Sequence, residues 1–381
     1  KADHELRLKP DHPMGSGQTR CTQGAQMKKI KEIQADLIQG KINCTILLNE
    51  DLENTQFAYY IFRNGERIHI SWYSPNPSFN FDTEGVPGYY WVVGFVKFNG
   101  ESVENAKSKP IFANPVEVSP DDFPLANKDS IAFQLKGETW DFPALYYPSK
   151  SESLFVLMPS AVDRGKMVLP AFSRWAWAAE GLFPGHALCI ADPTLELNEN
   201  LRLGWLIGNK EHCATTELAD FVIKFARSKG IPNERIVIYG SSAGGFAALA
   251  LAACIEGSIA VAINAQTDAL SYNSPKQISL IQQYCFDNLP QNEIRRNFSD
   301  RVDMAMRWKS VNKSKAFLIQ NQTDTHHYNV HFLPFWESLG GTAASGVTHA
   351  GRHTAWVYHQ EGGHIPESKE MAQEIISMLK M

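Results

Sequence analysis

Two rhythms of apolar residues divide the chain. From about Ile42 to Val118, hydrophobic and polar positions alternate over short runs. Phe57–Arg63 and Glu66–Tyr73 flank Asn64-Gly65, a pair that accepts positive φ at both positions and so predicts a tight β-hairpin. A further β-rich run, Tyr89–Lys97, ends near a second such pair, Asn99-Gly100. Strands at this spacing predict a small β-sandwich of immunoglobulin-like or fibronectin-like type, with most of its aromatic residues serving as core. Such a module carries no chemistry by itself.

Proline-marked sequence from Ser119 to Leu125 ends this rhythm. Continuous apolar runs then predict strands at Ile131–Leu135, Ala144–Tyr147, Leu154–Met158, Ala187–Ala191, Arg235–Tyr239, Ile259–Asn264, Ala316–Gln320 and Thr354–His359. Leu218, Phe221, Val222, Phe225 and Ala226 fall on one helical face, which stops at Gly230 and Pro232. Strands that alternate with helices imply an α/β fold, a mainly parallel sheet covered on both faces, with chemistry at the carboxyl ends of the strands. The expected organisation is an N-terminal extension over 1–27, the β-sandwich over 28–118, and an α/β catalytic domain over 119–381.

The most specific signal lies where one of these strands meets a helix. Gly240-Ser241-Ser242-Ala243-Gly244 follows Arg235–Tyr239 and precedes the small, apolar stretch Gly245–Ala252. A serine at the apex of a strand–turn–helix is lifted above the sheet at a helix N-terminus, where backbone N–H groups can bind a developing oxyanion. Glycine-rich turns before helices are common. The flanking strand and helix are what make Ser242 a candidate nucleophile.

A serine hydroxyl needs a base, and the base needs an orienting acid. Asp324 follows the strand Ala316–Gln320, and His364 follows the strand Thr354–His359 in the loop Glu361-Gly362-Gly363-His364. Serine, acid and histidine thus occur in the required order, each just past a predicted strand. Asp324 also suits a helix cap near His327, and His364 a solvated loop. The competing acids Asp268 and Asp303 do not follow the strand that precedes the His364 strand, and Glu361 shares its loop with His364.

The backbone N–H of Ala243 is the expected first oxyanion donor, and Ser160 or Ala161, after the strand Leu154–Met158, the second. Arg164, Arg174, Trp175 and Trp205 are candidate substrate contacts, the tryptophans as platforms for a sugar ring and the arginines for polar or anionic groups. Core packing is the alternative use of the tryptophans. Asp192-Pro193 is a candidate rim element. His326, His327, His331 and His364 have no matching carboxylate or cysteine cluster, so no metal is expected. Phosphate-loop and dinucleotide fingerprints are missing from the sequence, and no cofactor is expected.

The serine turn together with Asp324 and His364 resembles the α/β-hydrolase superfamily over residues 127–381, which implies the α/β-hydrolase fold and serine esterase or acyltransferase activity. Ser160-Ala161-Val162-Asp163, Arg174-Trp175, Asp192-Pro193 and the doubled serine are similar to a bacterial subgroup that modifies surface glycans. That subgroup includes capsule polysaccharide O-acetyltransferases and glycan-modifying proteins of accessory secretion systems. The implied substrate is a carbohydrate or small acyl ester. Hydrolysis leads, transfer of the acyl group to a polysaccharide is the alternative, and a noncatalytic glycan-binding protein that keeps the fold is the reading from another class.

Composition narrows the remaining possibilities. The chain has 381 residues, 36 basic and 41 acidic, for a net charge of −5 without a long run of either sign. Nucleic-acid binding through a basic surface is not expected. No stretch approaches the roughly 20 apolar residues of a membrane span. The polar first residues lack the apolar core of a secretory signal, so a cytoplasmic location is expected, although a removed signal is compatible with a first residue other than Met. The six cysteines, Cys21, Cys44, Cys189, Cys213, Cys254 and Cys285, are scattered. They read as free thiols in a reducing compartment rather than as a disulfide framework or zinc site. The sequence does not indicate an oligomeric state.

Overall fold

The fold was taken from a computed structural model, which describes residues 28–50, 53–119 and 130–379. The expected extension over 1–27, Cys21, and all of Ser119–Leu125 except Ser119 lie outside the described residues. The first eight strands are β1 (Ile30–Ile38), β2 (Lys41–Leu48), β3 (Thr55–Arg63), β4 (Glu66–Ser74), β5 (Ser78–Asp82), β6 (Gly88–Phe98), β7 (Glu101–Lys107) and β8 (Ile111–Ala113). They form two antiparallel sheets, one ordered β1-β2-β5 and the other β4-β3-β6-β7, with β8 paired to β6. Asn64 and Gly65 have φ of 53° and 107°, and Asn99 and Gly100 have φ of 47° and 84°, as the hairpin signals require. Ile33, Ile42, Cys44 and Ile46 of one sheet pack with Tyr59, Ile61, Val92 and Val96 of the other. Alternating side chains on facing sheets thus build a sandwich core.

The remaining strands are β9 (Val116–Val118), β10 (Ile131–Lys136), β11 (Asp141–Tyr147), β12 (Leu154–Leu157), β13 (His186–Ile190), β14 (Ile236–Ser241), β15 (Ile259–Ile263), β16 (Lys315–Asn321), β17 (Gly346–Ala350) and β18 (His353–Tyr358). They form one sheet in the order β17-β18-β16-β15-β14-β12-β13-β11-β10-β9. Strands β12 to β16 and β18 are parallel to their neighbours within this set, while β11 and β17 run antiparallel to theirs. Val116–Val118, which the sequence pattern groups with the sandwich, pairs with β10 and so belongs to this sheet.

Both faces of the large sheet are covered by helices, of which the short α1 (Trp175–Ala179) comes first along the chain. Val156, Ile236 and Ile238 face a core shared with helices α2 (Ala214–Ser228) and α3 (Ala243–Ala252), whereas Phe155, Leu157, Val237 and Tyr239 face one shared with the helix Lys369–Met378. Adjacent residues of a strand point to opposite faces, and both faces are apolar, which is why these strands read as continuous hydrophobic runs. The predicted stripe Leu218, Phe221, Val222, Phe225 and Ala226 is buried on α2. The sandwich is seated by ring contacts. Tyr89 meets Phe172 and Trp175 with centroids 5.2 and 5.4 Å apart, and Trp91 meets Trp175 at 4.9 Å.

Candidate active site

β14 ends at Ser241, α3 begins at Ala243, and Ser242 between them holds φ 54° and ψ −120°. That backbone region is strained for a residue with a side chain, and strain of this kind is kept only where the surroundings enforce it. The two flanking glycines allow the turn to close. A Cβ on Gly240 would lie 2.1 Å from the Gly244 carbonyl oxygen, and one on Gly244 would lie 3.0 to 3.3 Å from Met158 O, Pro159 O and Ser160 Oγ.

The carboxyl ends of adjacent parallel strands bring the other candidates to Ser242. His364 Nε2 lies 3.0 Å from Ser242 Oγ, and His364 Nδ1 lies 2.5 Å from Asp324 Oδ2. Asp324 is buried, whereas the His364 side chain is 39% exposed, so the site opens to solvent on the imidazole side. Burial alone would raise the Asp324 pKa. Hydrogen bonds from His327 and His364 outweigh it and hold the carboxyl well below the usual carboxylate range.

Neighbouring side chains fix the loop that carries His364. Asn321 Nδ2 donates to the carbonyls of Gln360 (2.8 Å) and Gly363 (2.9 Å). Asn264 Nδ2 donates to Ile365 O (3.2 Å), while its Oδ1 accepts from the Asn321 N–H (2.7 Å). Both asparagines are buried at strand ends. The sequence carried no signal for them beyond a polar residue at the end of an apolar run.

Gln266, which the sequence reading left without a role, and His327 complete the surroundings of Ser242. Gln266, just past β15, donates from Nε2 to Ser242 Oγ (3.0 Å) and lies 2.8 Å from His327 Nε2, while its Oε1 accepts from Trp205 Nε1 (3.2 Å). His327 Nδ1 lies 3.0 Å from both Asp324 Oδ1 and Oδ2, and its ring stacks on that of His364 with centroids 4.0 Å apart and planes 15° from parallel. Burial pushes the His327 pKa down despite the Asp324 bond. Among the described residues, Asp324, His327 and His364 are the one trio of potential ligands with donor atoms within 4.8 Å of one another. Their facing atoms are already engaged in these hydrogen bonds, with both Asp324 oxygens taken by imidazoles.

The other candidates separate. The Ser160 N–H donates to Ser173 Oγ (2.9 Å), and Ser160 Oγ donates to Ser241 O (3.1 Å), whereas Ala161 is exposed. Ala243 is buried at the first turn of α3. Arg164 donates from Nε to Glu199 O (2.9 Å) and lines, with Ala161, Arg202, Tyr272 and Lys276, a cavity of about 500 Å³. Arg174 is no free substrate contact. Its Nε and Nη2 lie 2.6 and 2.5 Å from Glu367 Oε1, and Nη2 donates to Ser241 Oγ (2.6 Å). Trp175 packs on the sandwich, and Trp205 is 2% exposed beneath Gln266, so neither presents a platform. Packing explains both positions, Trp205 fully buried and Trp175 half-buried against the sandwich, since indoles supply large apolar area and a single donor. Asp192 is buried and accepts from the N–H groups of Thr194 and Leu206, which makes it a loop anchor rather than a rim. Asp268 and Asp303 cap short helical turns, and Glu361 lies near His359.

Five cysteines, Cys44, Cys189, Cys213, Cys254 and Cys285, are free, and among the described residues no helix is long and apolar enough to cross a membrane. No family model and no curated protein matches the chain. Among solved structures it is similar to the capsule O-acetyltransferase of Neisseria meningitidis serogroup A, at 14% identity over 67% of this chain and 96% of that one, with a TM-score of 0.49. It is also similar to a chain of the glycosylation associate protein (Gap123) complex from Streptococcus agalactiae, at 12% identity over 93% of this chain and 71% of that one, TM-score 0.47. The structure of EstE5 soaked with ethyl alcohol matches at 12% identity over 68% of this chain and 91% of that one, TM-score 0.42. By the order and direction of its strands, and by the strand–turn–helix that carries Ser242, the chain has the α/β-hydrolase fold.

Proposed function

We propose that the chain is a serine esterase that works through an acyl-enzyme on Ser242. The observation that carries this reading is the hydrogen-bonded series from Ser242 Oγ through His364 to Asp324, set at the head of α3. His364 Nε2 takes the serine proton as Oγ attacks the ester carbonyl, then returns it to the leaving alcohol. Asp324 accepts from Nδ1–H, fixes the tautomer and stabilises the imidazolium. The Ala243 N–H supplies one oxyanion donor. Because the Ser160 N–H is taken by Ser173, we assign the second to Ala161. Water then attacks the acyl carbonyl, with His364 as base, and releases the acid.

The exposed imidazole edge gives water access to this second step, and hydrolysis is the leading outcome that the resemblance to the superfamily implies. We place the substrate among O-acylated carbohydrates, the class that the sequence resemblance implies. The cavity lined by Ala161 and Arg164 supports a polar group beside the oxyanion loop. A fluorophosphonate should label the protein at Ser242, and Ser242→Ala should abolish both the adduct and acetate release from 4-nitrophenyl acetate. An unlabelled wild type sinks the reading. Acetate release from an acetylated oligosaccharide, compared with acetyl gain by a deacetylated one, decides between hydrolysis and transfer.

A further inference from the structure

Every hydrogen bond around Ser242 has a direction, and one indole is enough to set them all. The Trp205 Nε1–H can only donate, so the amide oxygen of Gln266 faces it. The amide nitrogen of Gln266 is therefore the atom that faces both Ser242 Oγ and His327 Nε2, and it has one hydrogen for each. His327 Nε2 must then accept, which leaves the proton on Nδ1, aimed at Asp324 Oδ1. Ser242 Oγ, already accepting from Gln266, is left with His364 Nε2 as the partner for its own hydrogen. His364 accordingly carries its proton on Nδ1, against Asp324 Oδ2.

Two branches thus run from the Gln266 amide to one carboxylate, one through Ser242 and His364 and the other through His327, whose Nδ1 lies 3.0 Å from both Asp324 oxygens. We propose that Trp205, Gln266 and His327 form a positioning branch that fixes the hydrogen-bond polarity of Ser242, His364 and Asp324. The proposal rests on Ser242 being the nucleophile. His327 bears on catalysis through Asp324 and through the ring of His364, which it stacks against. Without the His327 Nδ1–H, Asp324 Oδ1 keeps only the longer bond from the His327 backbone N–H (3.4 Å), and the buried carboxylate is held chiefly from the His364 side. Without the indole N–H, the Gln266 amide can turn its oxygen toward Ser242, and the serine hydrogen is drawn away from His364. Trp205 and Gln266 lie 61 positions apart, as do Gln266 and His327. The branch is assembled by the fold and not by a local motif.

The test uses the full chain and steady-state hydrolysis of 4-nitrophenyl acetate, with thermal melts to record folding. His327→Phe keeps a ring against His364 and removes both hydrogen bonds. It should lower kcat roughly 10- to 100-fold with KM within about 2-fold, the order expected for losing a hydrogen bond to an ionised group. His327→Asn places an amide N–H near the former Nδ1 and should recover most of that loss. Trp205→Phe removes the indole N–H without touching Ser242, His364 or Asp324. It should lower kcat roughly 3- to 10-fold, the value of one neutral hydrogen bond.

Wild-type kcat in both His327→Phe and Trp205→Phe overturns the proposal. So does a His327→Asn variant that melts like wild type yet is as slow as His327→Phe, since packing rather than the hydrogen bond would then be at stake. If His327→Phe fails to fold, Trp205→Phe decides alone. Activity that survives Ser242→Ala refutes the esterase reading instead, whereas Ser242-dependent activity indifferent to these substitutions refutes only the positioning branch.

Discussion

Glu367→Gln is a sharp probe of how the His364 loop is held. Glu367 lies three positions past His364, and its side chain is fully buried. One oxygen takes both Nε and Nη2 of Arg174, and the Tyr239 hydroxyl also donates to it at 3.3 Å. The same guanidinium donates to Ser241 Oγ and lies 5.3 Å from the Tyr239 ring centre and 5.9 Å from that of Trp177. A single ion pair therefore clamps the His364 loop to the strand that ends beside Ser242. Glu367→Gln preserves the shape of the side chain but leaves the Arg174 cation without a counter-charge among aromatic rings. Breaking one side of a buried pair costs about 3–5 kcal/mol. The loop should also shift, and a displacement near 1 Å at a catalytic base costs on the order of 100-fold in rate. Urea denaturation followed by tryptophan fluorescence reads the first effect, and kcat on 4-nitrophenyl acetate the second. Removing both charges, with Arg174→Met and Glu367→Gln together, should cost less stability than Glu367→Gln alone, because no unpaired charge stays buried. A single mutant that loses under about 1 kcal/mol, or a double mutant that loses the sum of the two singles, would show that the pair is not the clamp described.

Two further outcomes follow from groups that the fold holds in costly states. Burial pushes the His331 pKa down to about 3 and that of His353 down to about 4. Below their ordinary value near 6.5 the unfolded chain takes up protons that the folded chain refuses, so stability is lost as pH falls from 6.5 toward 4. The slope is about 1.4 kcal/mol per pH unit for each group. Asp324, whose pKa is lowered, contributes stability that is lost only below the ordinary carboxylate range and does not offset this loss. Urea midpoints that stay level between pH 7 and 5 would contradict this account. Ser242→Gly should abolish esterase activity yet raise the urea midpoint above that of Ser242→Ala. It relieves a strained φ of 54° and ψ of −120° worth about 1–3 kcal/mol, and a lower midpoint would mean that the turn is unstrained.

The elements of this fold were readable where one physical requirement dominates the local sequence. Central strands buried on both faces must be apolar throughout, and the runs at Leu154, Arg235, Ile259 and Ala316 show it. Hairpin turns that need positive φ at two successive residues announce themselves as Asn-Gly. The serine turn was legible for the same reason, since a tight strand-to-helix reversal needs glycine at Gly240 and Gly244. Trp175 and Trp205 were open to two readings because an indole has the same composition whether it meets a sugar or a core. Only the fold tells them apart, by seating Trp175 on Trp91 and Trp205 under Gln266. Arg174 misled in a similar way. A lone arginine in a loop suggests an exposed cation, and its counter-charge lies 193 positions away.

Gln266 and His327 stayed illegible for a different reason, which concerns sheet order. Hydrophobic pattern predicts that strands exist, but it does not say which lie side by side. In this sheet β15 stands between β14, which ends beside Ser242, and β16, which leads to Asp324. The first residues beyond β15 are thereby placed within reach of both. Whatever side chain stands there meets the free lone pair of the serine on one side and the acid's surroundings on the other. A buried polar atom in that position must be paired or pay its desolvation. An amide, with a donor end for two acceptors and an acceptor end for one donor, satisfies all three contacts at once. That fit makes Gln266 the residue through which the turn at Ser242 is joined to the rest of the site.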